Sequence, residues 1–310
     1  MDKFLLSECL EKYSMESLTA YCAEYGVEVK KGDDQKILTR ELAEALQEEN
    51  VIARRLGILD DKSMHALLTI AAGKETDDDD SIDALDGLDL VGRRDETYLV
   101  PEEVRAEFSL FDDKAWMQKR TDRVWLMQCL SVVSHYWADA PASVMQELFV
   151  KNDKVSKDAD LVSLFKDIPV SEQTCVMIGN HFVVRGWRTS QVFSVYREKQ
   201  KKYSFYIPSA EEAMDLYVND YDTLEENGQK VLNWLVKNGA DKGEAGLFLH
   251  ELWNDINYGH PEAEVIRNSE AVITFENHEE QEDFRKMIHA WYRASRRLDL
   301  RGHTLAEVMS

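Results

Sequence analysis

Positively charged and aromatic side chains occur together in one stretch of this sequence, residues 182–206, which we call the basic aromatic strip. Guanidinium and ammonium groups bind phosphate, and aromatic rings stack on unpaired bases. The strip contains six cations, Arg185, Arg188, Arg197, Lys199, Lys201 and Lys202, and one acid, Glu198. Its seven rings are Phe182, Trp187, Phe193, Tyr196, Tyr203, Phe205 and Tyr206. We therefore expect residues 182–206 to contact DNA or RNA through the six cations together with Trp187 and Tyr203.

Two other interpretations of the strip stay open. In the first, the alternating patterns FSVY (193–196) and YSFYI (203–207) are strands that turn their rings into the core, and the cations are a solvated face. In the second, the strip docks onto acidic regions of the same protein. Each of these interpretations removes the need for a nucleic-acid partner.

The charge of the rest of the chain limits what the strip can bind. The chain carries a formal net charge of −22. Residues 111–207 have 14 Lys and Arg against 11 Asp and Glu, whereas residues 1–50, 51–110 and 208–310 carry −6, −8 and −11. Such a surface repels polyanions except at a cationic patch, which argues against a general DNA-coating protein. The alternative function is a protein–protein adaptor whose acidic modules dock a basic partner or mimic a polyanion.

Motifs for enzyme chemistry are almost absent. The patterns GxSxG, GxxxxGK[ST] and GxGxxG do not occur, so nucleophile-elbow and common nucleotide-loop enzymes lack their signature. His250-Glu251 begins like a zincin helix, but Asn254 stands where the second histidine ligand is required. We predict a non-enzymatic protein with no cofactor and no metal.

The cysteines and the hydropathy pattern indicate the compartment. The chain has four widely spaced cysteines: Cys9, Cys22, Cys129 and Cys175. Their spacing favours reduced, buried thiols over a disulfide framework or a zinc site. No apolar run approaches the ~20 residues of a membrane helix, and the N-terminus lacks the apolar core of a signal peptide. We therefore expect a cytoplasmic protein without a membrane partner.

Helix, strand and turn signals predict an α+β fold that is predominantly α-helical. We divide it into a helix–extended–helix module (1–50), two winged-helix-like units (51–110 and 111–207) and a helical C-terminal domain (208–310). The two middle units each place helices before a β-hairpin, which is winged-helix order. The second hairpin, CVMI and HFVV around Gly179-Asn180, leads directly into the basic aromatic strip.

Several local features are also predicted. Ser63 is expected to cap a helix that runs to Ala72. The segment GKETDDDDSID (73–83) is expected to be an exposed loop. The first hairpin is expected to turn at Gly92-Arg93-Arg94-Asp95 between apolar strands that contain Leu85 to Val91 and Tyr98 to Val100. In the last domain Ser209 caps a helix, and residues 271–275 give the one strand signal.

A second basic cluster lies near the C-terminus and consists of Arg285, Arg293, Arg296, Arg297 and Arg301. Acids such as Glu282 and Asp299 are close in sequence, so we expect salt bridges and packing there rather than anion capture. His303 has no evident catalytic partners, and we expect it to be a structural hydrogen-bonding residue.

The first module resembles a known family. The pattern Leu18…Tyr25-Gly26-Val27…Lys36-Ile37-Leu38…Leu42…Leu46 is similar to the helix–extended–helix modules of the SAP and Rho N-terminal type. That resemblance implies a nucleic-acid-binding role. The alternative, which the net charge of −6 over residues 1–50 favours, is a small interaction or packing module.

A second resemblance spans most of the chain. Its motifs are Trp291-Tyr292-Arg293, Leu300 to Glu307, Val100 to Arg105, and Tyr206 to Ser209 followed by Glu211, Glu212 and Tyr217. Together they resemble a group of uncharacterised bacterial cytoplasmic proteins that end in RGHTPxE. Leu305 occupies the usual proline position. Some members continue into a Cys/His zinc motif of the SEC-C type, whose cysteines this sequence lacks up to Ser310, so the resemblance implies architecture and no zinc.

Overall fold

The computed structural model describes residues 3–48, 50–187 and 191–310, which form two compact units. Unit 1 comprises the chain up to Val124 together with Asp158–Glu172, and unit 2 comprises Trp125–Lys157 together with Gln173–Ser310. The protein is mostly helical with small antiparallel sheets, so the predicted helix-dominated α+β class is confirmed. None of the helices in the described ranges is long and apolar enough to span a membrane.

Unit 1 consists of short helices around one two-stranded hairpin. Its helices are α1 (Leu6–Cys9), α2 (Met15–Glu24), α3 (Gln35–Glu48), α4 (Val51–Leu56), α5 (Asp61–Ala71), α6 (Asp79–Gly87), α7 (Glu102–Ala106) and α10 (Leu161–Asp167), and its strands are β1 (Gly92–Arg94) and β2 (Thr97–Leu99). Helix α8 (Lys114–Val132) begins in unit 1 and ends in unit 2.

The two helices predicted for the first module are present as α2 and α3. The Ser14 side chain accepts a hydrogen bond from the Ser17 amide at 3.1 Å and so caps α2. Gly26 ends that helix at φ 71°, a left-handed conformation that glycine adopts without a steric penalty. The predicted end of the second helix, Glu49, lies outside the described residues.

Three local predictions in unit 1 are wrong in whole or in part, since the exposed loop predicted for residues 73–83 extends only to residue 78. The cap of α5 is Asp60, whose carboxylate accepts the Ser63 amide at 2.7 Å, so Ser63 lies inside the helix. The segment predicted as a loop contains the first turns of α6, because Asp78 caps this helix and acids are favoured at a helix N-terminus. The hairpin exists, but it turns at Asp95-Glu96, and Gly92–Arg94 is its first strand.

A buried charged network ties the first helices of unit 1 to later parts of the same unit. Asp89 is 1% exposed. Its carboxylate lies 3.0 Å from Arg55 Nη1 and 3.1 Å from Lys12 Nζ. The hydroxyls of Tyr13 and Tyr21 each donate to it at 2.9 Å. The first module is therefore joined to residues 51–110 by a carboxylate whose oxygens are fully used.

Unit 2 combines a three-stranded sheet with a set of helices. After α8 come a π-helical turn (Val133–Trp137), β3 (Asp139–Pro141), α9 (Ala142–Phe149), β4 (Cys175–Ile178), β5 (His181–Val184), α11 (Gln191–Gln200), α12 (Ala210–Asn219), α13 (Glu226–Lys237), α14 (Lys242–Asn257), α15 (Glu262–Ala271), α16 (His278–Ala294) and α17 (Leu305–Met309). The sheet order is β3-β5-β4, with both pairings antiparallel.

The core of unit 2 is rich in tryptophan, and most of its predicted helices are confirmed. Trp137, Trp253 and Trp291 are fully buried. Ser209 caps α12 in a capping box, because its side chain accepts the Glu212 amide while the Glu212 carboxylate accepts the Ser209 amide. The strand predicted at residues 271–275 is wrong, since Ala271 ends α15 and residues 272–275 have no regular secondary structure.

Candidate nucleic-acid interface

The hairpin β4–β5 leads directly into the basic aromatic strip. In this hairpin Cys175 lies opposite Val184 and Ile178 lies opposite His181. The two-residue turn is therefore at Gly179-Asn180, as predicted. Arg185 follows β5 directly, and its amide donates to the Thr174 carbonyl at 2.9 Å. The Arg185 side chain is exposed. Another predicted contact, Arg188, lies outside the described residues.

Two further predicted cations project from α11. Arg197 is 56% exposed in its side chain, and its Nε lies 3.4 Å from an Asp139 carboxylate oxygen. Lys199 is 49% exposed, and its Nζ lies 4.0 Å from an Asp299 oxygen. Residues two apart on a helix diverge by about 200°, so these cations lie on opposite flanks of α11. Both side chains reach solvent.

The last two predicted cations lie just beyond α11. Lys201 is 67% exposed and contacts Glu198, the single acid of the strip. Lys202 is exposed, and its Nζ lies 5.0 Å from the centre of the Tyr203 ring. Exposed ion pairs contribute only ~0.2–1 kcal/mol. A phosphate can therefore replace the protein partner of these cations at little cost.

The rings of the strip serve mainly to anchor it. Phe182 and Phe193 are buried. Trp187 is half-buried and packs against Tyr196, with ring centres 5.4 Å apart, and stacks on Tyr258 at 6.3 Å. These rings join a small apolar cluster under α11. Trp187, which we predicted to contact nucleic acid, is thus largely occupied inside the unit.

The strand interpretation of the rings is wrong. FSVY lies in α11, and YSFYI has no regular secondary structure. Four residues of alternation cannot distinguish a strand from a helix. Phe193 and Gln200 share the inner face of α11, at i and i+7, and Gln200 donates to the Leu298 carbonyl at 2.5 Å. This tertiary contact fixes which face of the helix is buried.

Sequence reasoning missed a cationic group around one carboxylate, Asp139. Asp139 is 9% exposed and lies 2.6 Å from His181 Nδ1 as well as beside Arg197. Burial lowers the pKa of the Arg301 guanidinium, an effect that Asp139 opposes and the charge of Arg197 increases. Asp139 therefore contacts His181 and Arg197 directly and acts on Arg301 through its charge. No local sequence pattern could join Arg301 to Arg197, because the two residues are 104 positions apart in the sequence.

Arg301 is also held to the strip directly. Its Nη1 donates to the Tyr203 carbonyl at 3.0 Å, and its guanidinium carbon lies 4.0 Å from the centre of the Phe205 ring. The Tyr206 amide donates to the Arg301 carbonyl at 3.1 Å. The segments around Tyr206 and Arg301, which carried the second resemblance in the sequence, thus meet in space.

Three other arginines of the C-terminal cluster form salt bridges, as expected: Arg285, Arg296 and Arg297. Arg285 pairs with Glu270 and Glu282. Arg297 is 6% exposed and forms a two-pronged pair with Asp299, with both distances 3.0 Å. A buried bidentate pair of this kind satisfies the guanidinium and leaves it unsuited to capture an anion. Arg293 is exposed.

Arg296 and His303 complete the contacts at the C-terminal segment. Arg296 lies 3.3 Å above the Tyr206 ring and donates to Glu212 at 3.2 Å. His303 Nε2 lies 3.3 Å from the Ser204 hydroxyl and 3.2 Å from its carbonyl. Both side chains therefore hold the end of the strip in place.

The thiols and acids of the described residues offer no evident metal centre. All four cysteines are buried and free, and burial raises the pKa of Cys9 and of Cys175 to about 12. Within residues 3–48, 50–187 and 191–310 no group of three or more His, Cys, Asp or Glu is arranged to hold a metal ion. The chemistry of the site is accordingly that of exposed cations.

Comparisons of the chain with protein-family models, curated proteins and solved structures give no match. The two resemblances drawn from the sequence therefore stay predictions.

Proposed function

We propose that this protein is a non-enzymatic, cytoplasmic nucleic-acid-associated protein that contacts backbone phosphates through the basic aromatic strip. The observation that carries the proposal is the exposure of the cations. Arg197, Lys199 and Lys201 are each about half or more exposed in their side chains. Arg185 and Lys202 are exposed as well. They form the accessible cationic part of an otherwise acidic chain.

The winged-helix-like unit predicted for residues 111–207 is part of this proposal. The element order is one helix (α8), a short strand (β3), two helices (α9, α10) and a hairpin (β4–β5). The first strand pairs with the second strand of the hairpin. Because α10 belongs to unit 1 and the hairpin to unit 2, we propose backbone contact for the hairpin and the strip alone. The strip begins within that hairpin.

Because several rings of the strip are buried or packed, we propose contact with phosphates rather than stacking on bases. With Phe182 and Phe193 buried and Trp187 packed on Tyr196, base stacking is left mainly to Tyr203. Phosphate contacts position a protein on nucleic acid without selecting a sequence. We therefore expect weak sequence preference, and an affinity that falls steeply with salt.

Binding to labelled duplex DNA and single-stranded RNA, followed by fluorescence anisotropy, tests the proposal. The substitutions Lys199→Glu, Lys201→Glu and Lys202→Glu, made together, should weaken binding at least ~10-fold. They should also reduce the slope of log K against log salt by about 2 to 3, because each phosphate contact contributes about 0.9.

A matched variant controls for net charge. Lys230→Glu, Lys237→Glu and Lys286→Glu change the net charge equally on exposed positions of α13 and α16, and should change affinity less than ~3-fold through long-range charge alone. Equal losses in the two triple variants would show that the strip has no special role. Absence of binding to both nucleic acids at low salt would reject the proposal.

The second candidate is the acidic adaptor, and an apolar groove among the acidic helices of residues 208–310 favours it. These residues carry 10 Lys and Arg against 21 Asp and Glu. Binding of a basic protein or peptide that persists in the Lys199, Lys201 and Lys202 variant, without nucleic-acid binding by the unchanged protein, would favour this candidate. This groove, which lies between α13, α14 and the segment after α15, is the surface that would bind the basic partner.

A further inference from the structure

An open groove lies between α13, α14 and the segment that follows α15. Its volume is about 420 Å³, and its apolar lining includes Trp234, Phe248 and Val272. A smaller cavity of about 90 Å³ shares Phe248 and Val272 with it. Val272 is 71% exposed, and Trp234 and Phe248 are half-buried. Large apolar side chains in an open, concave position are typical of interaction surfaces.

A row of carboxylates follows the same groove along α14. Glu244 lines the larger cavity, and Glu251 and Asp255 line the smaller one. Together with Phe248 they are spaced by four, three and four residues, so they lie on one face of the helix. Glu244 and Glu251 are exposed, and neither forms a salt bridge with any residue that the structure describes. Asp255 lies 3.1 Å from His260.

We infer that this groove binds an amphipathic, basic α-helix of a partner protein. On α14, Phe248 and Glu251 lie about one and two turns beyond Glu244, or about 6 and about 10 Å along the helix axis. On a partner helix, apolar side chains at positions i, i+4 and i+7 are separated by the same distances along the helix axis. Lysines or arginines on the flank of that helix then face Glu244 and Glu251, whose carboxylates form no salt bridge within residues 3–48, 50–187 and 191–310.

Charge complementarity selects this occupant over an acidic or neutral one. The groove belongs to residues 208–310, which carry a net charge of −11. Such a field speeds the approach of a basic partner and opposes an acidic one. The inference deepens the adaptor candidate by naming its surface and the chemistry of its partner. It does not depend on phosphate binding by the strip.

The experiment uses the full chain and a synthetic helical peptide of about 15 residues with Leu at i, i+4 and i+7 and Lys on the flanks. A peptide with Glu in place of Lys and a scrambled Lys/Leu peptide are the controls. Peptide binding is measured by anisotropy, and Trp234 emission is read as the difference from a Trp234→Phe variant. The Lys peptide should bind at least ~10-fold more tightly than either control and should shift the Trp234 emission.

Two variants locate the binding. Val272→Asp removes an exposed apolar side chain and should weaken the Lys peptide at least ~10-fold. Glu244→Lys with Glu251→Lys should weaken it similarly and strengthen the Glu peptide. Glu211→Lys with Glu279→Lys, also exposed, gives the same change in net charge away from the groove and should have less than ~3-fold effect.

Several results would overturn the inference. Equal binding of the ordered and scrambled Lys peptides would mean general electrostatic attraction. Unchanged binding in Val272→Asp would place the site elsewhere. A dimer in sedimentation that Val272→Asp dissociates would make a second copy of this chain the occupant. Because every groove variant keeps the strip intact, nucleic-acid binding measured on the same proteins separates failure of this inference from failure of the phosphate proposal.

Discussion

At the scale of single residues, the two buried carboxylates Asp89 and Asp222 show how much depends on the surroundings of one charge. Asp89 is satisfied by two cations and two hydroxyls. Asp222 is 8% exposed and has mainly other carboxylates around it. The partners of Asp89 balance its charge, whereas burial and neighbouring acids raise the pKa of Asp222.

Asp89→Asn should lower the free energy of unfolding by about 3 kcal/mol, because it leaves Arg55 buried without its counter-charge. Asparagine tolerates the left-handed backbone at this position, φ 54°, so loss of charge is the main change. Urea denaturation followed by circular dichroism measures the effect. Asp86→Asn, which removes a half-exposed partner of Lys12, should cost less than ~1 kcal/mol. Equal effects of the two changes would contradict the role given to Asp89.

Asp222 predicts that the free energy of unfolding falls as the pH rises. Burial, together with the charge of Asp215 and other acids, raises the pKa of Asp222 to about 6. Between the ordinary aspartate pKa of about 4 and about 6, the folded state holds a proton that the unfolded state releases. The contribution of Asp222 to the free energy of unfolding therefore falls as the pH rises through this range.

The substitution Asp222→Asn keeps a side-chain oxygen for the Leu224 amide, which now donates at 3.0 Å, and removes the charge. It should raise the free energy of unfolding at pH 7 by up to about 2 kcal/mol and flatten the pH profile between about 4 and 6. Thermal unfolding at a series of pH values tests this. Glu211→Gln, an exposed change on the neighbouring helix α12, should leave the profile unaltered, and the prediction fails if Asp222→Asn does the same.

At the scale of elements, the segment from Arg297 to Thr304 determines how the strip is held. Gly302 has φ 82°, and a Cβ built there would lie 3.2 Å from the Cβ atoms of Tyr136 and Tyr206. Gly186, in the strip, has the same φ with nothing within 4 Å of such a Cβ. The two glycines share a backbone conformation and differ in their packing.

Gly186→Ala should therefore cost only the left-handed penalty, about 1 kcal/mol. Gly302→Ala should cost about 2 to 3 kcal/mol, because the added methyl also crowds the Cβ atoms of the buried Tyr136 and the half-buried Tyr206. The difference in unfolding free energy between the two variants therefore measures the contribution of the close packing around Gly302. Costs that agree within about 0.5 kcal/mol would mean that the close approach of these segments contributes nothing.

Local signals in the sequence were sufficient for most of the elements. Ser209 with Glu212, and the pattern around Gly179-Asn180, place a helix start and a hairpin turn where the structure has them. The sequence was insufficient for α11, where four alternating residues favour a strand and the buried contact of Gln200 with Leu298 favours a helix. A contact across 98 positions leaves no trace in a local pattern.

At the scale of the whole molecule, the charge map predicted a cationic strip, and the exposed side chains agree with it. The map could not show that Phe182 and Phe193 are buried, or that Arg301 joins Arg197 near Asp139. Net charge is a property of composition, whereas burial depends on which segments meet after folding. The four predicted domains are shorter than the two compact units of the structure, and their boundaries stay predictions.

The hydrogen bonds between the strip and residues 297–303 also bear on the order of events during protein synthesis. The ribosome makes Gln200 and Tyr203 long before their partners, Leu298 and Arg301, each 98 residues later. A nascent chain that has released the strip cannot yet close these contacts, so its cations and rings stay accessible together for several seconds at ordinary elongation rates. During that interval the strip is held only by contacts with residues made earlier, such as that of Arg197 with Asp139.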